Sequence, residues 1–148
     1  LERQYLLTQI EGYLDEDNRP CVSLRAVGFS DPLEAVIDTG FYGSLKISFD
    51  QAKNANLDIL DAQFYARVAS GQRVKFLLAE GELFWLGEKI SKTFLVNLRE
   101  PNNEGPAQTK SGQAQERGDQ PVLLGAELLE NTILRIDYCA RTVTIAPC

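Results

Sequence analysis

An all-β domain carrying one or two short helices is what this sequence predicts. Apolar and polar residues alternate with period two along most of the chain, the repeat of a half-buried strand. Clusters of Gly, Pro, Asn and Asp interrupt that alternation at short intervals, as turns between strands do. Neither an internal repeat nor a linker between two cores is evident, and 148 residues suffice for one core. The expectation is a single domain over 1–148.

The elements follow in order. Leu6 to Leu14 alternates and ends in the turn Asp15-Glu16-Asp17-Asn18. Cys21 to Val27 makes a second strand, closed by the turn from Gly28 to Pro32. "EAVID" makes a third and delivers Asp38 to its end. After a turn from Gly40 to Gly43, "SLKI" resumes the extended chain. "SFDQAKNANL" opens on Ser48 with Gln51 three residues on, the spacing of a capping box, so a short helix is expected there. "AQFYARVA" and "RVKFLLAE" flank Ser70-Gly71-Gln72 and read as a hairpin. "ELFWL" and "KTFLVNL" continue the sheet, with Phe84 and Trp85 assigned to core or interface. Residues 100–120 hold no large apolar side chain and are dominated by Pro, Gly, Asn and Gln, so a long flexible surface loop is expected. "PVLLGAELL" restores the apolar pattern and predicts a short helix from about Ala126 to Asn131. "TILRIDY" and "RTVTIAP" make the last two strands around Cys139-Ala140.

Composition removes several functions. The formal net charge of -6 argues against non-specific binding to nucleic acid or to an anionic membrane, since both need a basic face. No apolar run approaches the roughly 20 residues of a membrane-spanning helix, and no signal-peptide pattern opens the chain. Three cysteines in no metal-like spacing fit a reducing compartment better than a disulfide scaffold. The expected location is the cytoplasm, although the chain opens on Leu1 rather than Met, which leaves room for an upstream targeting or anchor segment. Histidine is absent. That removes Ser-His and Cys-His nucleophilic machinery and most zinc sites together. No metal or other cofactor is expected, and acid–base chemistry falls to carboxylates, Lys, Tyr or Cys.

Against this background "AVIDTGFYGSL" raises a question, because it drives Asp38 into the end of an apolar strand. A buried ionised carboxylate is unfavourable without partners, so it is neutralised, paired or used. Taken alone, Asp-Thr-Gly is a weak signal; an Asp that opens a β-turn with a left-handed Gly is common. Its context is more specific. A short strand follows it, and Val122-Leu123-Leu124-Gly125 later leads into a short helix.

In sequence order, "VIDTG", the hairpin around "ASGQRV", "VLLGAELL" and the closing "LRIDYCARTVTI" resemble the retropepsin-like aspartic proteases, the single-domain relatives of pepsin. The resemblance covers roughly Gly12 to Ile145 apart from the 100–120 loop. It implies a closed acid-protease barrel, aspartic endopeptidase activity at Asp38, Thr39 and Gly40, and a flap with Ser70 and Gly71 at its tip. Two departures stand out. Phe41 follows Gly40 where viral and pepsin-like members usually carry Ala or Ser, and the "DTGFYG" form is closer to a group of bacterial and archaeal members. The 100–120 loop is also longer than the family needs.

Carboxylate chemistry on a peptide bond needs two carboxyls around one water: one takes a proton from the water, and the other donates one to the carbonyl oxygen. Two carboxyls that close share a proton. This chain has one Asp-Thr-Gly, and Asp137 in "RIDY" reads as a strand or turn residue. The second carboxylate therefore has to be Asp38 of a second copy, which a homodimer with a two-fold axis supplies. Gly40 would let two loops approach and offer an N–H to the carboxylate, and the resemblance implies a Thr39 hydroxyl bond across the axis. The terminal segments "YLLTQI" and "RTVTIAP" are expected to carry unpaired edges that build the interface. The alternative is a retropepsin-like module that dimerises or binds peptides without catalysis. An actin-like nucleotide site, suggested by the Asp-x-Gly of "DTGFYGS", would need two large lobes that 148 residues of β pattern do not supply.

Overall fold

Period-two alternation buries every second side chain, so one face of each strand enters the core. Leu33, Ala35 and Ile37 are buried while Glu34 between them is exposed, and Leu45 and Ile47 are buried on either side of Lys46. The computed structural model describes residues 8–67, 71–98 and 121–148. Its strands are β1 Ile10–Leu14, β2 Pro20–Leu24, β3 Leu33–Ile37, β4 Leu45–Ile47 and β5 Asp58–Arg67, then β6 Arg73–Trp85, β7 Glu88–Asn97, β8 Val122–Leu124, β9 Thr132–Asp137 and β10 Thr142–Pro147. Two helices, α1 Phe49–Asn54 and α2 Ala126–Leu129, complete it.

All ten strands join one sheet in the order β5-β6-β7-β4-β8-β3-β2-β1-β10-β9. β8 lies between β3 and β4, parallel to the first and antiparallel to the second. Consecutive strands β3 and β4 are thus separated, and the 38–44 connection has to cross the end of β8. Val22, Leu45, Phe94, Val96, Leu124 and Ile145 are fully buried and draw the core from both halves of the chain.

The sheet curls until the chain leaving β2 meets the C-terminal end of β6. Ala26 forms an isolated bridge with Leu83, the Val27 N–H donates to the Glu82 carbonyl at 2.9 Å, and the Phe84 N–H donates to the Arg25 carbonyl at 2.9 Å. A closed barrel was the expectation. Among the described residues the ladder is open instead, because it begins at β5 and ends at β9 without joining them, and a single bridge does the work of a seam.

Three sequence expectations change. "RVKFLLAE" and "ELFWL" are one strand, β6, since Gly81 does not break the ladder; a Cβ there would sit 2.3 Å from the Phe94 ring, so the glycine makes room for that ring. The second strand is shorter than Cys21 to Val27, because Arg25 to Val27 leave it to bond β6. "RTVTIAP" is not an edge: β10 pairs with β1 on one side and β9 on the other. The turn after Asp137 folds β9 back onto β10, and the exposed edge passes to β9. Residues 1–7, where the first strand was expected to begin, and the expected 100–120 loop lie outside the described residues.

Helix α1 is capped as its spacing predicted. The Gln51 N–H donates to Ser48 Oγ at 3.0 Å, and the Ser48 N–H donates to Gln51 Oε1 at 2.9 Å. Ser48→Ala removes one half of this reciprocal pair and should lower unfolding free energy by about 1 kcal/mol in a denaturant titration. A midpoint equal to wild type would show that solvent replaces the cap without loss. Cys21 is buried in β2, and burial pushes its thiol up, which marks it as a packing residue; Cys139 and Cys148 are exposed and free. Among the described residues no helix is long and apolar enough to cross a membrane.

Candidate active site

The loop that carries Asp38 is held from below by the end of β8. The Asp38 N–H donates to the Leu124 carbonyl at 2.9 Å, prolonging the β3–β8 pairing by one residue. From the other side, the Gly125 N–H donates to Ser44 O at 2.9 Å, Ala126 N–H to Phe41 O at 2.8 Å and Glu127 N–H to Gly43 O at 3.1 Å. The loop carbonyls thereby satisfy N–H groups that the start of α2 cannot pair within the helix. Ser44 is fully buried, and its hydroxyl donates to the Thr93 carbonyl of β7 at 2.8 Å. Both ends of the loop are fastened to the sheet.

Asp38 itself is half-buried and opens a tight turn, in which the Phe41 N–H donates to the Asp38 carbonyl at 3.1 Å. The Gly40 N–H donates to Asp38 Oδ1 at 3.0 Å, the bond expected of that glycine. Gly40 is not left-handed, unlike the glycine of the common Asp turn. Among the described residues a Cβ on Gly40 would meet only Asp38 Oδ1, at 3.4 Å, so none of them crowds it. Thr39 is exposed, and among the described residues nothing bonds its hydroxyl. The loop tip faces outward with its carboxylate oriented.

Phe41 explains the unusual residue after Gly40. Its ring lies against two glycines: a Cβ on Gly43 would be 2.6 Å from Phe41 Cζ, and one on Gly125 would be 2.6 Å from Phe41 Cδ2. The large ring and the two missing side chains are complementary. Phe41 therefore packs the base of the loop, while Tyr42 projects into solvent at 74% exposure.

Solved structures similar to this one include two proteases. The crystal structure of a retropepsin-like aspartic protease from Rickettsia conorii matches with a TM-score of 0.57 and 16% identity, over 95% of this chain and 93% of that one. The EIAV protease complexed with the inhibitor HBY-793 matches with a TM-score of 0.52 and 14% identity, over 78% of this chain and 89% of that one. The chain has a retropepsin-like fold. No protein-family model and no curated protein matches it.

Within the retropepsin-like fold, the remaining sequence-predicted residues fall as follows. The hairpin of β5 and β6 is present and pairs out to Arg67 and Arg73. Arg73 stacks over the Tyr65 ring at 5.2 Å, which ties the two strands together near the tip. Gly71 is exposed with φ of +89°, a left-handed turn conformation. Ser70 lies outside the described residues. Asp137 is the last residue of β9 and caps the turn that follows, its Oδ1 accepting from the Cys139 N–H at 2.9 Å and the Ala140 N–H at 3.0 Å. Trp85 is buried and Phe84 exposed, as alternation on one strand requires.

One residue escaped the sequence reading. Lys46 of β4 is half-buried, its Nζ 5.9 Å from the centre of the Phe76 ring on β6. Burial lowers its ammonium below the usual lysine range, against the opposing pull of the Asp38 charge. In sequence Lys46 is merely the polar member of "LKI", indistinguishable from a solvated strand residue.

Proposed function

We propose that this chain is an aspartic endopeptidase, one domain over 1–148, whose active site forms where two copies bring Asp38 together. The observation that carries the reading is the Asp38 loop. It presents one oriented carboxylate at the tip of a crossing that is anchored on both sides, with Thr39 and Gly40 uncovered beside it. One carboxylate is half of the chemistry, and a symmetric dimer supplies the other half at the axis. The descriptions of the fold neighbours as a retropepsin-like aspartic protease and as a protease bound to an inhibitor favour the same reading.

In that dimer one Asp38 is ionised and the other protonated. The ionised carboxylate removes a proton from a water held between them as the water oxygen bonds the peptide carbon. The protonated partner gives its proton to the carbonyl oxygen. Collapse of the tetrahedral diol transfers a proton to the peptide nitrogen and breaks the C–N bond, leaving a carboxylic acid and an amine. Gly40 holds Oδ1, which leaves Oδ2 for the water. The β5–β6 hairpin, with Ser70 and Gly71 at its tip, closes over the peptide and excludes bulk water.

The test is a digest of an unbiased peptide mixture between pH 3 and 8, with and without a pepstatin-like transition-state mimic, alongside sedimentation of the same sample. A dimer with inhibitor-sensitive cleavage is expected. A dimer that cleaves nothing at any pH would instead identify a non-catalytic dimerisation or peptide-binding module. A monomer at high micromolar concentration would overturn the shared site.

A further inference from the structure

Lys46 occupies an apolar position. β3, β8, β4, β7 and β6 are neighbours, and their registers align Val36 with Leu123, Leu123 with Lys46, Lys46 with Leu95, and Leu95 with Leu78. This cross-strand row lies on the face opposite Leu45 and Ile47, the core face of β4. It is the face to which alternation along β3, from Glu34 through Val36, also assigns Asp38. One cation stands in the middle of four apolar side chains.

That cation is not neutralised. Among the described residues no carboxylate lies within ion-pair distance of the Lys46 ammonium and no hydrogen bond reaches it; it stands over the Phe76 ring. Asp38 is the acid whose field it feels, without a salt bridge between them. In the proposed dimer, a carboxyl pair sharing one proton carries one negative charge, flanked by two Lys46 ammonium groups. At least one ammonium then has no counter-charge. A half-desolvated ammonium beside the scissile position gains most from an anion that arrives with the substrate.

We propose that Lys46 is a specificity-determining residue that selects peptides with an Asp or Glu side chain close to the scissile bond. This rests on the aspartic endopeptidase reading for the location of the scissile bond. The row itself, with its uncompensated ammonium, does not depend on that reading. The site takes the acidic side chain over the apolar surface of half-buried Leu123, with the carboxylate on Nζ.

The test uses peptides blocked at both ends and built around a central statine, which mimics the transition state. Glu, Gln or Lys is placed in turn at the two positions on either side, and binding to wild type, Lys46→Met and Lys46→Glu is measured by calorimetry. At one position or more, wild type should bind the Glu peptide about tenfold tighter than the Gln peptide. Lys46→Met should level the two, and Lys46→Glu should favour Lys. Lys46→Met should also melt no lower than wild type at pH 7, because it removes a half-buried charge and keeps the chain length. Equal binding of Glu and Gln peptides by wild type overturns the assignment, as does a Glu preference that survives in Lys46→Met. Matching statine-free peptides are assayed for cleavage in parallel. Preference without cleavage keeps Lys46 and sinks the protease; cleavage without preference does the reverse. If no statine peptide binds, both fall.

Discussion

Asp38→Asn chains should assemble as wild type does and cleave nothing, and mixing them with an equal amount of wild type should leave about a quarter of dimers with two carboxylates. The amide keeps the shape of the side chain and can still accept from the Gly40 N–H, so the loop has no reason to move. What it loses is the group that takes a proton from water. Per mole of total protein, activity of the exchanged mixture should then be about a quarter of that of wild type, by random pairing of subunits. A fall to one half would mean that each chain works alone and would end the two-carboxylate scheme. The pH–rate profile of wild type provides an independent measurement. It should be bell-shaped on the acid side of neutrality, because both limits belong to one carboxyl pair. A rate that climbs steadily through neutral pH would require a different base.

Gly125→Ala should be the most destabilising single-methyl change at the site, lowering unfolding stability by roughly 3 kcal/mol. The backbone at Gly125 is extended, with φ of -105°, so alanine pays no conformational penalty there. The loss is purely one of space. Its Cβ would lie 2.3 Å from the Gly43 carbonyl oxygen and 2.5 Å from that of Phe41. Those same oxygens accept from Glu127 and Ala126, so relieving the clash breaks the bonds that fasten the Asp38 loop to α2. A melting temperature lower by about 10 °C is expected on this scale, with activity lost more steeply than stability as Asp38 shifts. A variant within about 0.5 kcal/mol of wild type would show that the loop yields freely.

Much of the fold was legible because its signals are local. Ser48 and Gln51 specify a helix start through two hydrogen bonds spanning three residues, and the structure contains both. Alternation in "LEAVI" and "TVTIAP" predicts strands whichever neighbours they later find. The Asp-Thr-Gly turn and the Leu-Leu-Gly segment were each visible as short strings. That they meet is contained in neither string; the three bonds between residues 41–44 and 125–127 join them in the fold.

The misreadings concern pairing over long separations. Arg141 to Pro147 looked like an edge because nothing in a strand's own residues says how many neighbours it has; β9 and β1 together remove that edge. The closed barrel was a property of the resemblance, and the curl of this sheet ends in one bridge at Ala26. Gly81 read as a strand end, since the Phe94 ring that needs the space is thirteen residues further along.

The sequence by itself determined where strands, caps and turns form, and that one carboxylate in this chain stands at the end of an apolar strand. Those outcomes depend on backbone sterics and on neighbours within a few residues, which a linear string contains in full. Only the tertiary structure decided that β8 separates β3 from β4, that Phe41 fills the space left by Gly43 and Gly125, and that Lys46 stands uncompensated between Leu95 and Leu123. Each of these depends on which faces are buried together by residues far apart in the chain, and burial is a property of the assembled sheet rather than of any segment within it.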